Sequence, residues 1–135
     1  NDFLIGGKGD DRYAFMGNFG VDHIIENDAA VGNADNIVFS TLGVATTDQL
    51  WFRHVADDLE ISVIGTANKV IVDDWYLDAQ HHVEKIQVGS KVLLDAKVEN
   101  LVSAMAAFTP PSSGQTGWPS NYVTALAPVI AANWQ

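Results

Sequence analysis

Four aspartates share one offset. Asp2, Asp11, Asp22 and Asp35 each stand two residues before a large apolar residue: Leu4, Tyr13, Ile24 and Ile37. Around Asp11 the pattern is complete. Gly6-Gly7-Lys8-Gly9-Asp10-Asp11-Arg12-Tyr13-Ala14 fits the nine-residue unit G-G-x-G-x-D-x-U-x, with U large and apolar. Asn1 to Ile5 fits the last five places of that unit, Gly17 to Ile25 is a degenerate copy, and Asn33 to Val38 is a weaker echo. The chemistry follows from the residue types. Glycine adopts positive φ without steric cost, so successive carbonyls can curl toward one point. The aspartate adds a carboxylate to that ring of oxygens. Hard oxygen donors of both kinds, roughly six to eight of them, are what Ca²⁺ takes.

Other chemistries find less support. The histidines are His23, His54, His81 and His82, and the neighbours His81 and His82 would point to opposite sides of a regular strand. Neither H-E-x-x-H nor G-x-S-x-G occurs. Paired carboxylates at Asp10-Asp11, Asp57-Asp58 and Asp73-Asp74 could serve a glycosidase. A calcium turn, a β-turn and a strand edge explain them more simply. The formal charge of −10 over 135 residues opposes phosphate contacts and anionic membrane surfaces. There is no cysteine, which excludes disulfide scaffolds and thiolate metal sites.

The charge is unevenly placed, and this separates the elements that must hold such a site. Residues 1–35 carry seven acids against Lys8 and Arg12, residues 36–100 carry ten acids against five bases, and residues 101–135 carry no charged side chain. The first stretch reads as glycine turns followed by very short strands, each too small to fold alone. The second alternates with period two: Leu50–Val55, Leu59–Ile64, Lys69–Tyr76, and a hairpin of Val83–Val88 with Lys91–Leu94 about Gly89-Ser90. This predicts an antiparallel meander. In the third, Val98, Leu101, Val102, Met105 and Phe108 predict one helix over 96–108, ended by Pro110-Pro111. Ser120 is the expected N-cap of a second helix with Tyr122, Leu126, Val129 and Ile130 on one side and a kink or late start at Pro128.

The glycine–aspartate units resemble the RTX (repeats-in-toxin) calcium-binding β-roll, over residues 1–39. The resemblance implies that successive units lie on opposite faces and that units two apart share ions. Carried over, Asp2 and Asp22 lie on one side with carbonyls from Gly17 to Gly20. Asp11 lies on the other with the carbonyls of Gly6, Gly7, Lys8 and Gly9, and with Asp28 below. Asp35 is a further candidate. The extra residues Phe15 and Met16 break the nine-residue step. Residues 50–94 are similar to the haemolysin-type calcium-binding-related domain. The residues that carry this likeness are Asp57-Asp58-Leu59 with Ile61, Gly65-Thr66, Val70 with Val72 and Trp75, and Val83-Glu84 with Ile86.

Together these imply a mainly β protein: the end of a short parallel calcium β-roll (1–39), an antiparallel capping module (40–95) and an uncharged helical tail (96–135). The chain opens mid-motif, which suggests a C-terminal region of something longer. The function implied is a non-catalytic, Ca²⁺-binding module of a large secreted bacterial protein. It would fold on calcium outside the cell and carry the type I export signal in its tail. Its partners would be calcium and the type I secretion machinery, with no nucleic acid and no membrane. Two rivals remain: a self-associating, adhesive module of a fibre or surface layer, and an appended module of a polysaccharide-acting or lipolytic enzyme.

Overall fold

A computed structural model describes all 135 residues. The strands are β1 (Phe3–Ile5), β2 (Arg12–Phe15), β3 (Val21–Ile25), β4 (Asn36–Phe39), β5 (Leu50–Val55), β6 (Asp58–Val63), β7 (Lys69–Val72), β8 (Lys85–Val88) and β9 (Lys91–Leu94). Two helices follow, α1 (Asp95–Met105) and α2 (Ser120–Asn133). The protein is mainly β.

The first four strands alternate between two sheets, because the turns after β1, β2 and β3 each carry the chain across. One sheet has the order β1-β3-β7-β6-β5 and the other β2-β4-β8-β9. The first strands of each stack in parallel, with Leu4 beside Ile24 and Tyr13 beside Ile37. Side chains along a strand alternate in direction. Each of these first strands therefore sends only one or two residues inward, and the inward rows meet between the sheets. Tyr13, Ile37, Ile86 and Leu93 form one such row, all buried. The buried apolar residues make one contiguous cluster that includes residues of both helices.

The antiparallel meander is corrected by the pairing. β5–β6–β7 and β8–β9 are antiparallel as the alternation predicts. But β7 and β8 do not pair with each other. β7 continues the first stack in parallel on β3, and β8 continues the second on β4. The expected strand from Lys69 to Tyr76 stops at Val72, since Asp74 takes φ 59° and turns the chain. A short 3₁₀ turn over Ala79–His81, capped by the Asp78 side chain, which accepts the Gln80 N–H, completes the crossing. Thus 73–84 does what the glycine turns do earlier, without their sequence signature. Asp73 and Asp74 lie in this turn rather than on a strand edge.

The far end of the two sheets is covered. α1 packs on β5 and β9 through Val98, Leu101, Val102 and Met105. It ends before Phe108, which instead packs on Tyr122 of α2, ring centres 4.6 Å apart. Pro119, not Ser120, precedes α2, and Pro128 sits inside the helix without ending it. The chain then returns to the sheet: Gln135 donates to the Val92 carbonyl and accepts from its N–H, both at 2.9 Å. Neither helix is long and apolar enough to cross a membrane.

Candidate metal centre

The parallel register aligns positions two residues before each inward apolar residue. On the β2–β4–β8 side these are Asp11, Asp35 and Glu84, an acid at every level. On the β1–β3–β7 side they are Asp2, Asp22 and Val70. Along the first column each carboxylate accepts the N–H of the acid above it. Asp35 Oδ1 takes the Asp11 N–H at 2.7 Å, and Glu84 Oε2 takes the Asp35 N–H at 2.8 Å.

A fourth carboxylate enters from the other sheet. Asp22 and Ile24 point inward from β3, and the same alternation turns Glu26 inward just past the strand end. Glu26 is 1% exposed and receives a short hydrogen bond from the Tyr13 hydroxyl. Oxygen atoms of Asp11, Glu26 and Asp35 all lie within 4.8 Å of one another. Gly6 closes the top of this pocket. A Cβ there would stand 2.5 Å from Asp11 Oδ2 and from Glu26 Oε1, so only glycine leaves room for the oxygens to converge.

Nothing in the protein neutralises this group. Asp11 Oδ2 and Glu26 Oε2 are buried without any hydrogen-bond partner. Burial pushes the Glu26 carboxyl up; the Tyr13 hydrogen bond opposes this, and the charges of Asp35, Asp11 and Glu84 add to it. Asp35 and Glu84 are likewise pushed up, chiefly by burial. Burial and Glu26 together hold the Tyr13 hydroxyl protonated. Buried carboxylates normally carry a cation or a full set of donors. Two orphaned oxygens within reach of a third carboxylate fit a hard divalent cation.

The other candidates fall into two groups. Asp28 is closed on itself: its two oxygens accept from Gly9 and Ala30 at 2.9 Å each, and these N–H bonds hold its pKa down. Gly7 and Gly9 both take φ 98° and, with exposed Lys8, form an open turn above it. On the opposite side, Asp22 accepts the Asp2 N–H at 2.7 Å. The turn there is served by Asn68, whose amide donates to the Gly17 carbonyl at 3.2 Å and accepts from Gly20 N–H at 3.0 Å. The two residues inserted in this unit separate: Phe15 is buried against Phe19 and Phe39, while Met16 is exposed.

The histidines are engaged apart from one another. His81 Nδ1 meets Asp78 at 2.8 Å, whereas His82 stacks on Trp75 and contacts Asp95 at 3.2 Å. His23 meets Asp73 at 2.7 Å, and His54 stacks on Tyr76.

The centre thus joins Asp11 and Asp35 with two residues outside the set expected from the repeat pattern, Glu26 and Glu84. Both carried a signal. Glu84-Lys85-Ile86 has the same acid-x-apolar spacing as Asp11-Arg12-Tyr13 and Asp35-Asn36-Ile37. Glu26 follows Asp22 and Ile24 by the period of two.

A known calcium-associated family overlaps this geometry. Residues 58–87 match the haemolysin-type calcium binding protein related domain. The match spans β6, β7 and most of β8, and so includes Asn68 and Glu84; Asp11, Glu26 and Asp35 lie outside it. The description names calcium binding rather than catalysis. It supports Ca²⁺ as the ion and is consistent with a non-enzymatic module.

Proposed function

We propose that this chain is a calcium-stabilised module of the RTX type, whose first four strands, extended by β7 and β8, form a short parallel β-roll. The observation that carries the reading is the buried triad of Asp11, Glu26 and Asp35 with two unpartnered oxygens. These three would hold the ion, with Glu84 hydrogen-bonded behind Asp35. A bound cation supplies the positive charge and the coordination partner that these oxygens lack. Without it, the like charges oppose closure of the Gly6–Asp11 turn over Glu26. With it, the folded form alone is stabilised, by RT ln(1 + [Ca]/Kd).

The same linkage supports an extracellular site of action. Where calcium is scarce the carboxylates keep the stack open, and where it is millimolar the stack closes after export. We further propose the uncharged end of the tail as the type I export signal, which is read before folding and then packs through Leu126, Ile130 and Trp134. Melting the chain in chelator and in millimolar calcium tests the ion. A rise of many degrees is expected, and an unchanged transition refutes it. Export of a chain lacking 109–135 from a type I-competent host tests the tail: loss of export is expected, and normal export refutes the signal.

A further inference from the structure

The two sides of the strand stack meet the same physical problem, and they solve it with different groups. A tight turn aims carbonyls and N–H groups inward, and every buried one needs a partner. On the β1–β3–β7 side the turn between β2 and β3 is matched by Asn68, which immediately precedes β7. The register places Lys69 beside Val21, so Asn68 lies opposite Gly20. Asn68 is 5% exposed. Its Nδ2 donates to the Gly17 carbonyl, as a cation would receive that oxygen, and its Oδ1 accepts the Gly20 N–H. Thr66 fixes Asn68 in this position, because its Oγ1 accepts the Asn68 N–H at 3.0 Å and donates to the Val63 carbonyl at 2.8 Å. Lys69 N–H adds a bond to the Gly20 carbonyl at 2.8 Å. Below, Asp22 already has the Asp2 N–H, and the level after it is apolar Val70.

We infer that the Asn68 side-chain amide takes a cation's place on this side, so that the 17–20 turn closes on the 65–68 loop without an ion, and that an acid at 68 would turn this place into a second cation site. The polarity of the contact requires an amide. A carboxylate could still accept from Gly20 but would face the Gly17 carbonyl with no proton to offer. The consequence for folding is a division of labour. The contact of β3 with β7 needs no calcium, and only the Asp11–Glu26–Asp35 side depends on it. That last clause rests on the calcium reading above; the role of Asn68 does not.

Three chains are compared by melting in chelator and in millimolar calcium: the parent, Asn68→Ala and Asn68→Asp. Loss of two part-buried hydrogen bonds predicts that Asn68→Ala melts roughly 5 °C below the parent, by the same margin in both conditions. Asn68→Asp is expected to fall at least as far in chelator and to recover in calcium, with one more equivalent bound in a calorimetric titration. An Asn68→Ala chain that melts like the parent in chelator overturns the inference. So does calcium restoring both variants alike, or an Asn68→Asp chain without the extra equivalent. If the parent alone fails to respond to calcium while Asn68→Asp responds, the calcium reading of the Asp11 side falls and the Asn68 inference stands.

Discussion

The β2–β4–β8 side and the β1–β3–β7 side are built on one register and one spacing, yet their chemistry diverges at the third level. One column reads Asp11, Asp35, Glu84; the other reads Asp2, Asp22, Val70. In the first, a fourth acid, Glu26, crosses from the opposite sheet and leaves oxygens without partners. In the second, N–H groups and the Asn68 amide satisfy what the turn exposes. The aspartate spacing therefore marks a place in the stack, not an ion. Whether an ion is needed depends on what the neighbouring turns bring to that place.

The largest effects come from residues both sides share in kind. Ile24 and Ile37 are each fully buried. Ile24→Ala and Ile37→Ala should each cost about 2–5 kcal/mol in denaturant unfolding, since both leave a cavity in a packed row. The comparison is sharpened by calcium titration of Ile37→Ala against Val70→Ala, which is also fully buried but lies beside Asp22 on the other side. Ile37 stands two residues after Asp35, so Ile37→Ala should also weaken calcium binding, whereas Val70→Ala should not. Equal loss of affinity in both would break the asymmetry.

Next come the carboxylates. Asp35→Asn and Glu26→Gln each remove a charge from the triad and should lower calcium affinity more than tenfold, which is about 1.4 kcal/mol or more. Asp22→Asn, at the matching place on the other side, should change it less than about threefold, or roughly 0.7 kcal/mol. Gly6→Ala belongs with the first pair, because its methyl would collide with Asp11 and Glu26. Gly7→Ala, with open space around it, should cost only the strain of its positive φ, on the order of 1 kcal/mol. Isothermal titration of the set orders them.

The smallest effect is that of pH. Glu26, Asp35 and Glu84 have folded pKa values above their ordinary ones. A raised carboxyl pKa means the folded state binds its proton more tightly. Stability of the ion-free chain should therefore fall as pH rises from about 4.3, the unfolded glutamate value, through the folded values. Asp28 works the other way: its lowered pKa adds stability above its ordinary value that is lost on acidification below it. The calcium-free chain should thus lose stability as pH rises from the unfolded glutamate value, and the calcium-saturated chain should gain it. Scanning calorimetry over a series of pH values checks the crossing.

Much of the β2–β4 side was legible in the sequence, because Gly6 to Ala14 keeps every place of the unit. The hairpins β5–β6 and β8–β9 were legible too, from the alternation over 59–64 and from turns at Ala56-Asp57-Asp58 and Gly89-Ser90, although the first turn is one residue shorter than that, since β6 begins at Asp58. What the alternation could not give was partnership. Residues 69–72 and 85–88 read the same whether they pair with each other or with β3 and β4; that choice is made by the 73–84 crossing, which has no glycine. Glu26 was hidden for a similar reason. It belongs by sequence to the unit of Asp22, but the strand's pleat delivers it to Asp11 on the opposite sheet.

The two sides differ most in where an ion can sit. A crystal structure of the calcium-loaded chain, with anomalous data to locate calcium, tests this most directly. A calcium peak is expected between Asp11 Oδ2, Glu26 Oε2 and the Asp35 carboxylate, at distances of about 2.3–2.6 Å. A peak against Asp22 and the Gly17 carbonyl with none at Glu26, or no ordered calcium at all, would contradict it.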